Sequence, residues 1–293
     1  MTRLALPLAA LALSLALPAA EEVAFTRAVP PVGATRLETG AIGMNLRIAV
    51  SINGKAVQNT DEAKREAVEK RETVVAAGAD AVTGLKVAYV KADEQEKGED
   101  GQFQTIPKIV QGRTYLVRKE GKALVVTDGE GQAAPAEEAD FLRQDYDDLG
   151  AAPKLGAFLH GRKIALGERL DLSGDAGREA LHMKESDFKV QAFALTLKAV
   201  RQAGDRKCAV FDAELKLSLK DGAMELTMDP KGEMVVTVDQ CWPVTTTLAG
   251  PIKVTGQQTE GGDVTTMEGG GAVQVSFSCQ YGQAEAPPEK KEP

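Results

Sequence analysis

Two stretches of the chain decide the fold: VQAFALTLKAV at residues 190–200 and AVFDAELKLSL at residues 209–219. Apolar and polar residues alternate through the second stretch, which is the pattern of a half-buried β-strand. Further strand candidates follow at residues 223–228, 233–238, 244–248 and 272–278. Turn sequences at residues 220–222 and 229–232 separate the first of them. The second half of the chain therefore predicts antiparallel β structure.

The first half predicts a similar succession of strands. Residues 44–50 form a strand candidate that ends at Asn53-Gly54. Residues 60–72 suit a solvated helix or a strand, and we favour a strand for their second half because residues 85–90 can pair back onto it. A hairpin at Glu120-Gly121 joins residues 114–117 to residues 123–127.

Three short helical pieces are expected between the two strand-rich halves. The first covers residues 135–149, where Pro135 opens the helix and Gly150 closes it. The others cover residues 153–161 and residues 173–183, the latter with Ser173 as its N-cap.

The two halves also resemble each other in sequence. Residues 112–128 and residues 222–239 both read as a glycine, a strand, a turn and a second strand ending at an aspartate, offset by 110 residues at the glycine and 111 at the aspartate. The match predicts an internal duplication. The alternative is that turn chemistry alone makes two unrelated hairpins look alike.

These patterns predict a mainly β protein with a minor α component, built of antiparallel meanders that form two related curved sheets or half-barrels with a few short helices. The expected division is a signal peptide at residues 1–20, an irregular lead-in at 21–43, a first meander unit at 44–134, a helical joint at 135–162, a second meander unit at 163–281 and a disordered tail at 282–293.

The N-terminal residues 1–20, MTRLALPLAALALSLALPAA, have the layout of a secretory signal peptide. One basic residue, Arg3, precedes an apolar run, and small residues precede a cleavage point after Ala20. The run is short and interrupted by Pro7 and Pro18, so it does not suit a membrane span, and no second run follows. We expect a periplasmic or secreted protein without a transmembrane segment in the mature chain; the alternative is a buried N-terminal helix or an uncleaved anchor.

The charge balance narrows the class of partner. The chain has 35 Lys and Arg against 43 Asp and Glu, and loss of Arg3 with the signal peptide leaves 34 basic residues. An acidic chain does not suit nucleic acid or an anionic membrane surface. The expected partner is an unidentified envelope component or a small apolar ligand.

Three cysteines in an exported chain predict one disulfide and one leftover thiol. We assume that the strand at residues 244–256 turns near residues 257–263 and pairs with residues 264–279. The residue numbers of two paired positions then add up to about 520. This register places Cys241 opposite Cys279, and we predict that they form the disulfide, with Cys208 an inert buried thiol. A bulge at residues 269–271 or a break at Pro243 would shift the register.

No motif predicts a catalytic group, a metal or a cofactor. Residues 186–189 match S-x-x-K but enter a strand, and residues 129–134 match G-x-G-x-x-A without a parallel βαβ unit around them. His160 and His182 lack zinc-site spacing, and the carboxylates at residues 145–148 lack the glycine bend of a calcium loop. We interpret that acidic cluster as a solvated helix end.

Three aromatic residues are candidates for a ligand surface, because aromatics make up only 4% of the chain. They are Tyr115, Trp242 and Tyr281, and the last two lie beside the proposed disulfide. The alternative role for all three is packing in the core or at its edge.

The chain resembles exported β-rich bacterial proteins of unknown function over residues 65–280. The features that carry the resemblance are the signal peptide, the hairpin RTYLVRK at residues 113–119, the helical joint, ALGERLDL at residues 165–172 and the long β-meander. The resemblance implies a β-rich fold and no activity.

The leading hypothesis is a non-enzymatic periplasmic or secreted binding protein for an apolar or envelope-derived ligand. A structural or interaction protein of the envelope without a cavity is the first alternative. An exported hydrolase with an unrecognised site, built on Ser186, Lys189 or His182, is the second.

Overall fold

The structure is a computed structural model that describes residues 22–98, 101–181 and 188–283. The predicted signal peptide and residues 284–293 of the predicted tail lie outside these residues. The helices and strands are β1 (Glu22–Ala24), β2 (Ala34–Ile52), β3 (Lys55–Ala77), β4 (Val82–Lys97), β5 (Phe103–Pro107), β6 (Thr114–Glu120), β7 (Ala123–Asp128), α1 (Ala136–Asp145), α2 (Lys154–Leu159), β8 (Lys163–Ala165), β9 (Arg169–Asp171), α3 (Asp175–Ala180), β10 (Lys189–Ala203), β11 (Arg206–Asp221), β12 (Met224–Met228), β13 (Lys231–Thr237), β14 (Pro243–Glu260) and β15 (Asp263–Gln283). None of the described helices has both the length and the apolar character needed to span a membrane.

The protein is mainly β, as predicted, and the strands pair antiparallel. Thirteen strands form one sheet, in the order β7-β6-β4-β3-β2-β15-β14-β12-β11-β10-β9, with β5 beside β4 and β13 between β11 and β14. Both predicted meanders are present, but they form one sheet and not two, because β2 pairs with β15 from Ile52–Thr265 to Ala34–Gln283. Strands β1 and β8 make a separate pair.

The irregular lead-in predicted for residues 21–43 is wrong in two places. Residues 22–24 form β1, and residues 34–43 are the first half of β2. The composition of this region, rich in Ala, Gly and Pro, gives little local preference for a strand. Pairing with β15 on one side and β3 on the other supplies the stability that local propensity lacks. The ambiguous residues 60–72 are strand throughout, inside β3.

The turn predicted at residues 229–232 is not a chain reversal. Strands β12 and β13 lie end to end in the same gap, each pairing with β11 on one side and β14 on the other. Asp229 and Pro230 interrupt them, since a proline nitrogen has no hydrogen to donate to a ladder. The first half does contain the predicted hairpin, with Glu120 opposite Ala123. The second hairpin needed for the internal duplication is therefore absent from the described sheet.

Each half of the sheet has its own hydrophobic core beneath its helices. In the first half, Leu142 of α1 packs with Tyr115 and Val117. In the second half, Leu159 of α2 packs in a larger cluster that includes Phe25 and Phe211. Full burial of a side chain of this size contributes about 1.5–3 kcal/mol, so these clusters hold the helices on one face of the sheet.

Two glycines of β15 permit close approach of the central strands. A Cβ at Gly271 would collide with the carbonyl oxygen of Asn45, and a Cβ at Gly269 would collide with that of Arg47. In this part of the sheet Leu46, Ile252, Val254 and Val273 are buried and pack together in one cluster.

Candidate functional site

A cavity of about 700 Å³ lies between the sheet and the segments that cover it. Its sheet wall comes from β2, β3, β14 and β15, and we call this the inner face. The opposite wall, which we call the helical cover, comes from residues 144–156 and residues 180–181. Residues 27–30 complete the lining near the N-terminal segment.

Strand register places the polar side chains of the inner face in adjacent cross-strand rows. Side chains two residues apart on a strand lie on the same face, so rows separated by two positions project in the same direction. The first row is Tyr281, Arg36 and Glu72, and the next is Cys279, Glu38 and Lys70. The register alone thus brings two cations and two carboxylates together at one end of the cavity.

The third row makes the transition to the apolar part of the cavity. It consists of Phe277, Gly40 and Val68. A Cβ at Gly40 would collide with the ring of Phe277 and approach Val68. The missing side chain at Gly40 therefore provides the space in which the Phe277 ring lies.

An ion network, which we define as Arg36, Glu38, Lys70, Glu72 and Asp145, occupies the polar end. The Arg36 guanidinium lies 2.7 Å from Glu72 and 3.2 Å from Glu38. Lys70 Nζ lies 3.0 Å from Asp145 Oδ2 and 3.6 Å from a carboxylate oxygen of both Glu38 and Glu72. Each buried charge of the network therefore has an opposite charge beside it, as burial of ions requires.

Two tyrosine hydroxyls connect the helical cover to this network. Tyr146, just after α1, donates a hydrogen bond of 2.7 Å to Glu72. Tyr89 of β4 donates one of 2.7 Å to Asp145, the last residue of α1. As the sequence predicted, Asp145 lies at an exposed helix end, but it also pairs with Lys70, which the sequence did not indicate.

Glu72 and Lys70 of the network stay ionised across the neutral range. Burial alone would raise the pKa of Glu72, but Arg36, Lys70 and the hydrogen bond from Tyr146 outweigh burial and lower this pKa to about 2. Burial would lower the pKa of Lys70, and the carboxylates of Asp145, Glu72 and Glu38 outweigh it and raise the pKa. Groups with pKa values this far from neutral hold and orient a bound molecule and are poorly suited to proton transfer at neutral pH.

The structure brings Trp242 and Tyr281 together, and both line the cavity. Their ring centroids are 4.7 Å apart, and the Tyr281 hydroxyl donates a hydrogen bond of 2.7 Å to the Pro243 carbonyl. Arg206 lies 5.5 Å from the Trp242 ring and 5.2 Å from the Tyr281 ring. The third aromatic candidate, Tyr115, is buried in the first-half core, where its hydroxyl donates to Glu138 at 2.6 Å.

The predicted disulfide between Cys241 and Cys279 is wrong, because both residues are free buried thiols that line the cavity. The turn between β14 and β15 is tighter than predicted, with Glu260 opposite Asp263. The residue numbers of paired positions therefore add up to 523 and not to the predicted 520. Cys241 precedes β14 in a left-handed backbone conformation, with φ of 56°, and its thiol donates to the Thr26 carbonyl. Burial raises the pKa of the Cys241 thiol to about 11, so it is protonated at neutral pH. Cys208, also free and buried, fits its predicted role.

Apolar side chains form most of the remaining lining. They come from the sheet, the loop after β3 and the helical cover, and the largest are Val74, Val82, Leu85, Leu149, Leu155, Leu181, Leu215, Leu248, Val275 and Phe277. The cavity lining therefore combines mainly apolar side chains with one network of charged ones. This is the usual composition of a site that buries a small molecule and orients it by a few polar contacts.

Sequence reasoning missed the ion network. The available signal was the spacing Arg36-x-Glu38 and Lys70-x-Glu72, since opposite charges two residues apart lie on one face of a strand. Arg36 and Glu38 fell in the region taken as irregular. Lys70 and Glu72 fell in the stretch whose charges equally suited a solvated helix.

The residues of the hydrolase hypothesis give no assembled site in the described chain. Lys189 begins β10, while Ser186 and His182 lie outside the described residues. Among the residues that the structure covers, no group of three or more His, Cys, Asp or Glu side chains is placed to hold a metal ion.

Comparison of the chain with models of protein families finds no match, and neither does comparison with curated proteins.

Proposed function

We propose that this protein is an exported binding protein that holds a small apolar or amphipathic molecule in the cavity between the inner face and the helical cover. The observation that carries the proposal is the cavity itself, about 700 Å³ with mainly apolar walls and one network of charged side chains. Ligand pockets commonly have volumes of about 300–1,000 Å³ and are lined mainly by apolar side chains with a few polar groups.

The balance of the lining supports binding over catalysis. Apolar surface that faces water in the empty cavity is covered when a ligand enters, which contributes roughly 25 cal/mol per Å² of apolar surface buried. The charged groups of the ion network are already paired with one another and with Tyr89 and Tyr146. Glu72 and Lys70, whose pKa values lie far from neutral, can orient a ligand without a change in their own protonation.

Export is part of the proposal, and the position of the first packed residues supports it. Cleavage after Ala20 would leave β1 intact, since this strand begins at Glu22. Val23 and Phe25 are buried in the second-half core, and Phe25 stacks on Phe211 with ring centroids 6.1 Å apart. The predicted cleavage point thus falls just before the part of the chain that the fold requires.

Native mass spectrometry of the mature protein, isolated gently from its own cell envelope, tests the proposal. We expect a reproducible mass in excess of the chain from residue 21 onward, released by solvent extraction as a discrete small molecule. A mass equal to that of the chain alone in every preparation, together with no binding of the neutral dye Nile red, would contradict it. That outcome would favour a structural or interaction protein of the envelope.

A pair of variants tests whether a ligand occupies this cavity. Thr246 of β14 lines the cavity, whereas the next residue, Thr247, is exposed and does not. Thr246→Trp should fill the cavity and reduce the excess mass and the Nile red fluorescence. Thr247→Trp, the matched control, should leave both unchanged. Equal behaviour of the two folded variants would place the ligand elsewhere.

A further inference from the structure

We infer that the ligand carries a positive charge at its polar end, as a long-chain amine does, and that the ion network receives that charge. This inference rests on the proposed function, because it specifies which class of amphipathic molecule the cavity selects.

The charges around the cavity do not balance. The ion network contains three carboxylates, on Glu38, Glu72 and Asp145, but only two cations, on Arg36 and Lys70. Over the whole lining, as far as the described residues define it, six carboxylates face three cations. Opposite charges attract and like charges repel, so an excess of carboxylates around the cavity favours a cationic ligand and disfavours an anionic one.

Asp145 is the carboxylate of the network best placed to contact a ligand. Its side chain is 37% exposed, compared with 16% for Glu38 and 5% for Glu72. Both of its polar contacts, from Lys70 and Tyr89, use Oδ2. Oδ1 accepts no hydrogen bond from the residues that the structure describes. This oxygen is therefore an acceptor available to an ammonium group in the cavity.

The aromatic rings near the network already contact cations. Lys70 Nζ lies 5.0 Å from the centroid of the Tyr146 ring and 5.9 Å from that of Tyr89. At the other aromatic pair, Arg206 lies against Trp242 and Tyr281. Ring faces attract cations through their negative quadrupole, so this end of the cavity suits an ammonium group better than an anionic headgroup.

Both cations of the network already lie beside carboxylates, and the one buried donor left without a hydrogen-bond partner in the described network is Arg36 Nε. Arg36, the more exposed of its two cations, is already within 3.2 Å of Glu38 and 2.7 Å of Glu72. A ligand carboxylate at Arg36 would lie beside these like charges, which is a common way for a site to reject a competing ligand. The expected order of affinity is amine, then alcohol, then carboxylate.

Three probes with the same alkyl chain test this order: dodecylamine, dodecanol and dodecanoate. Each is titrated at neutral pH, below its micelle concentration, against the mature protein loaded with Nile red, and displacement of the dye gives Kd. We expect the Kd of dodecylamine to be about tenfold lower than that of dodecanol, a difference of about 1.4 kcal/mol in binding free energy. Dodecanoate should bind most weakly.

The variant Asp145→Asn makes the test specific, with Asp140→Asn as its control. Both residues lie on α1 and both make a salt bridge, but only Asp145 lines the cavity. Asp145→Asn should reduce the preference for dodecylamine over dodecanol several-fold, and Asp140→Asn should leave it unchanged. If Asp145→Asn does not fold, Glu38→Gln takes its place with the same expected direction.

The outcomes separate the two proposals. If no probe displaces Nile red from a site that Thr246→Trp blocks, the proposed binding function fails. If the probes bind but dodecylamine is no tighter than dodecanol, or if dodecanoate is the tightest, the charge inference is overturned and the binding function stands. An unchanged preference in folded Asp145→Asn also overturns it.

Discussion

The hydroxyl of Tyr146 donates a hydrogen bond of 2.7 Å to Glu72, and this contact joins the helical cover to the centre of the sheet beside the salt bridge between Lys70 and Asp145. Both side chains are buried, and Glu72 also receives the Arg36 guanidinium. The wall of the cavity is therefore attached to the inner face through the same carboxylate that organises the ion network.

Removing this hydroxyl should destabilise the protein. We expect Tyr146→Phe to lower the free energy of unfolding by about 1–3 kcal/mol, since it leaves a buried carboxylate oxygen with one hydrogen bond fewer. Tyr89→Phe is the matched control, because its partner Asp145 is 37% exposed and can be hydrated instead. Urea unfolding of both variants gives the comparison, and a larger loss for Tyr89→Phe would contradict our assignment.

The lowered pKa of Glu72 predicts a specific loss of stability in acid. Its pKa is about 2 in the folded protein against an ordinary value of 4.5. A group whose pKa is lower in the folded state stabilises the protein above the unfolded-state pKa, and this contribution is lost as pH falls through the folded-state pKa. The contribution of Glu72 should therefore be complete above about pH 4.5 and lost toward pH 2.

The variant Glu72→Gln isolates this effect from the other carboxyl groups. At neutral pH it should be less stable than the unchanged protein, because Arg36 and Lys70 lose a partner. The difference in unfolding free energy between the two proteins should narrow as pH falls from 4.5 toward 2. A difference that is constant over this range would show that the carboxylate is not held in its ionised form.

Three free thiols and one disulfide predict different numbers of reactive cysteines in the denatured protein. The denatured protein should react with Ellman's reagent at all three cysteines without prior reduction. In the folded protein the reaction should be slow, because burial raises the pKa of each thiol and excludes the reagent. A single reactive thiol after denaturation would mean that two cysteines are bonded, against the arrangement described here.

Two adjacent glycines test the close approach of β2 and β15. Gly271→Ala should lower the free energy of unfolding by about 1–3 kcal/mol or more, since the new methyl group collides with the Asn45 carbonyl. Gly270→Ala should cost much less, because its Cβ would lie 3.5 Å from the Ile252 carbonyl oxygen, an ordinary contact. Thermal unfolding compares them, and equal melting temperatures would exclude a special role for Gly271.

Local sequence signals were sufficient for most of the individual strands and turns. The predicted turn at Asn53-Gly54 is present, with φ of 50° and 79°, because these residues accept positive φ at low cost. The hairpin at Glu120-Gly121 and the three helices also form in the predicted regions. Two details were wrong: Gly174 and not Ser173 is the N-cap of α3, and α1 ends at Asp145 before it reaches Gly150. The turn at Asp229-Pro230 failed because the same residues that favour a turn also interrupt a strand without reversing it.

The candidate site was only partly predictable. Trp242 and Tyr281 were identified because aromatics are rare in this chain, and the structure brings them together at the cavity. Tyr115 was chosen for the same reason, but it packs in the first-half core. The scarcity of aromatic residues in a sequence does not indicate which of them lie at a cavity and which lie in a core. The disulfide depended on a register across β14 and β15, and a turn placed one or two residues differently moved Cys241 out of reach.

The sequence by itself determined most of the longer strands, most of the turns and the helical joint, because these depend on residues close together in the chain, but it did not reveal β1, β5, β8 or β9. Only the tertiary structure decided that β2 pairs with β15, which makes one sheet of two meanders and brings Arg36 beside Tyr281. A strand's side-chain pattern defines which face is buried but not which distant strand lies beside it. The local spacing of Arg36 with Glu38 and of Lys70 with Glu72 indicates charges on one face of each strand, but only that long-range pairing and the packing of α1 bring them together beside the cavity.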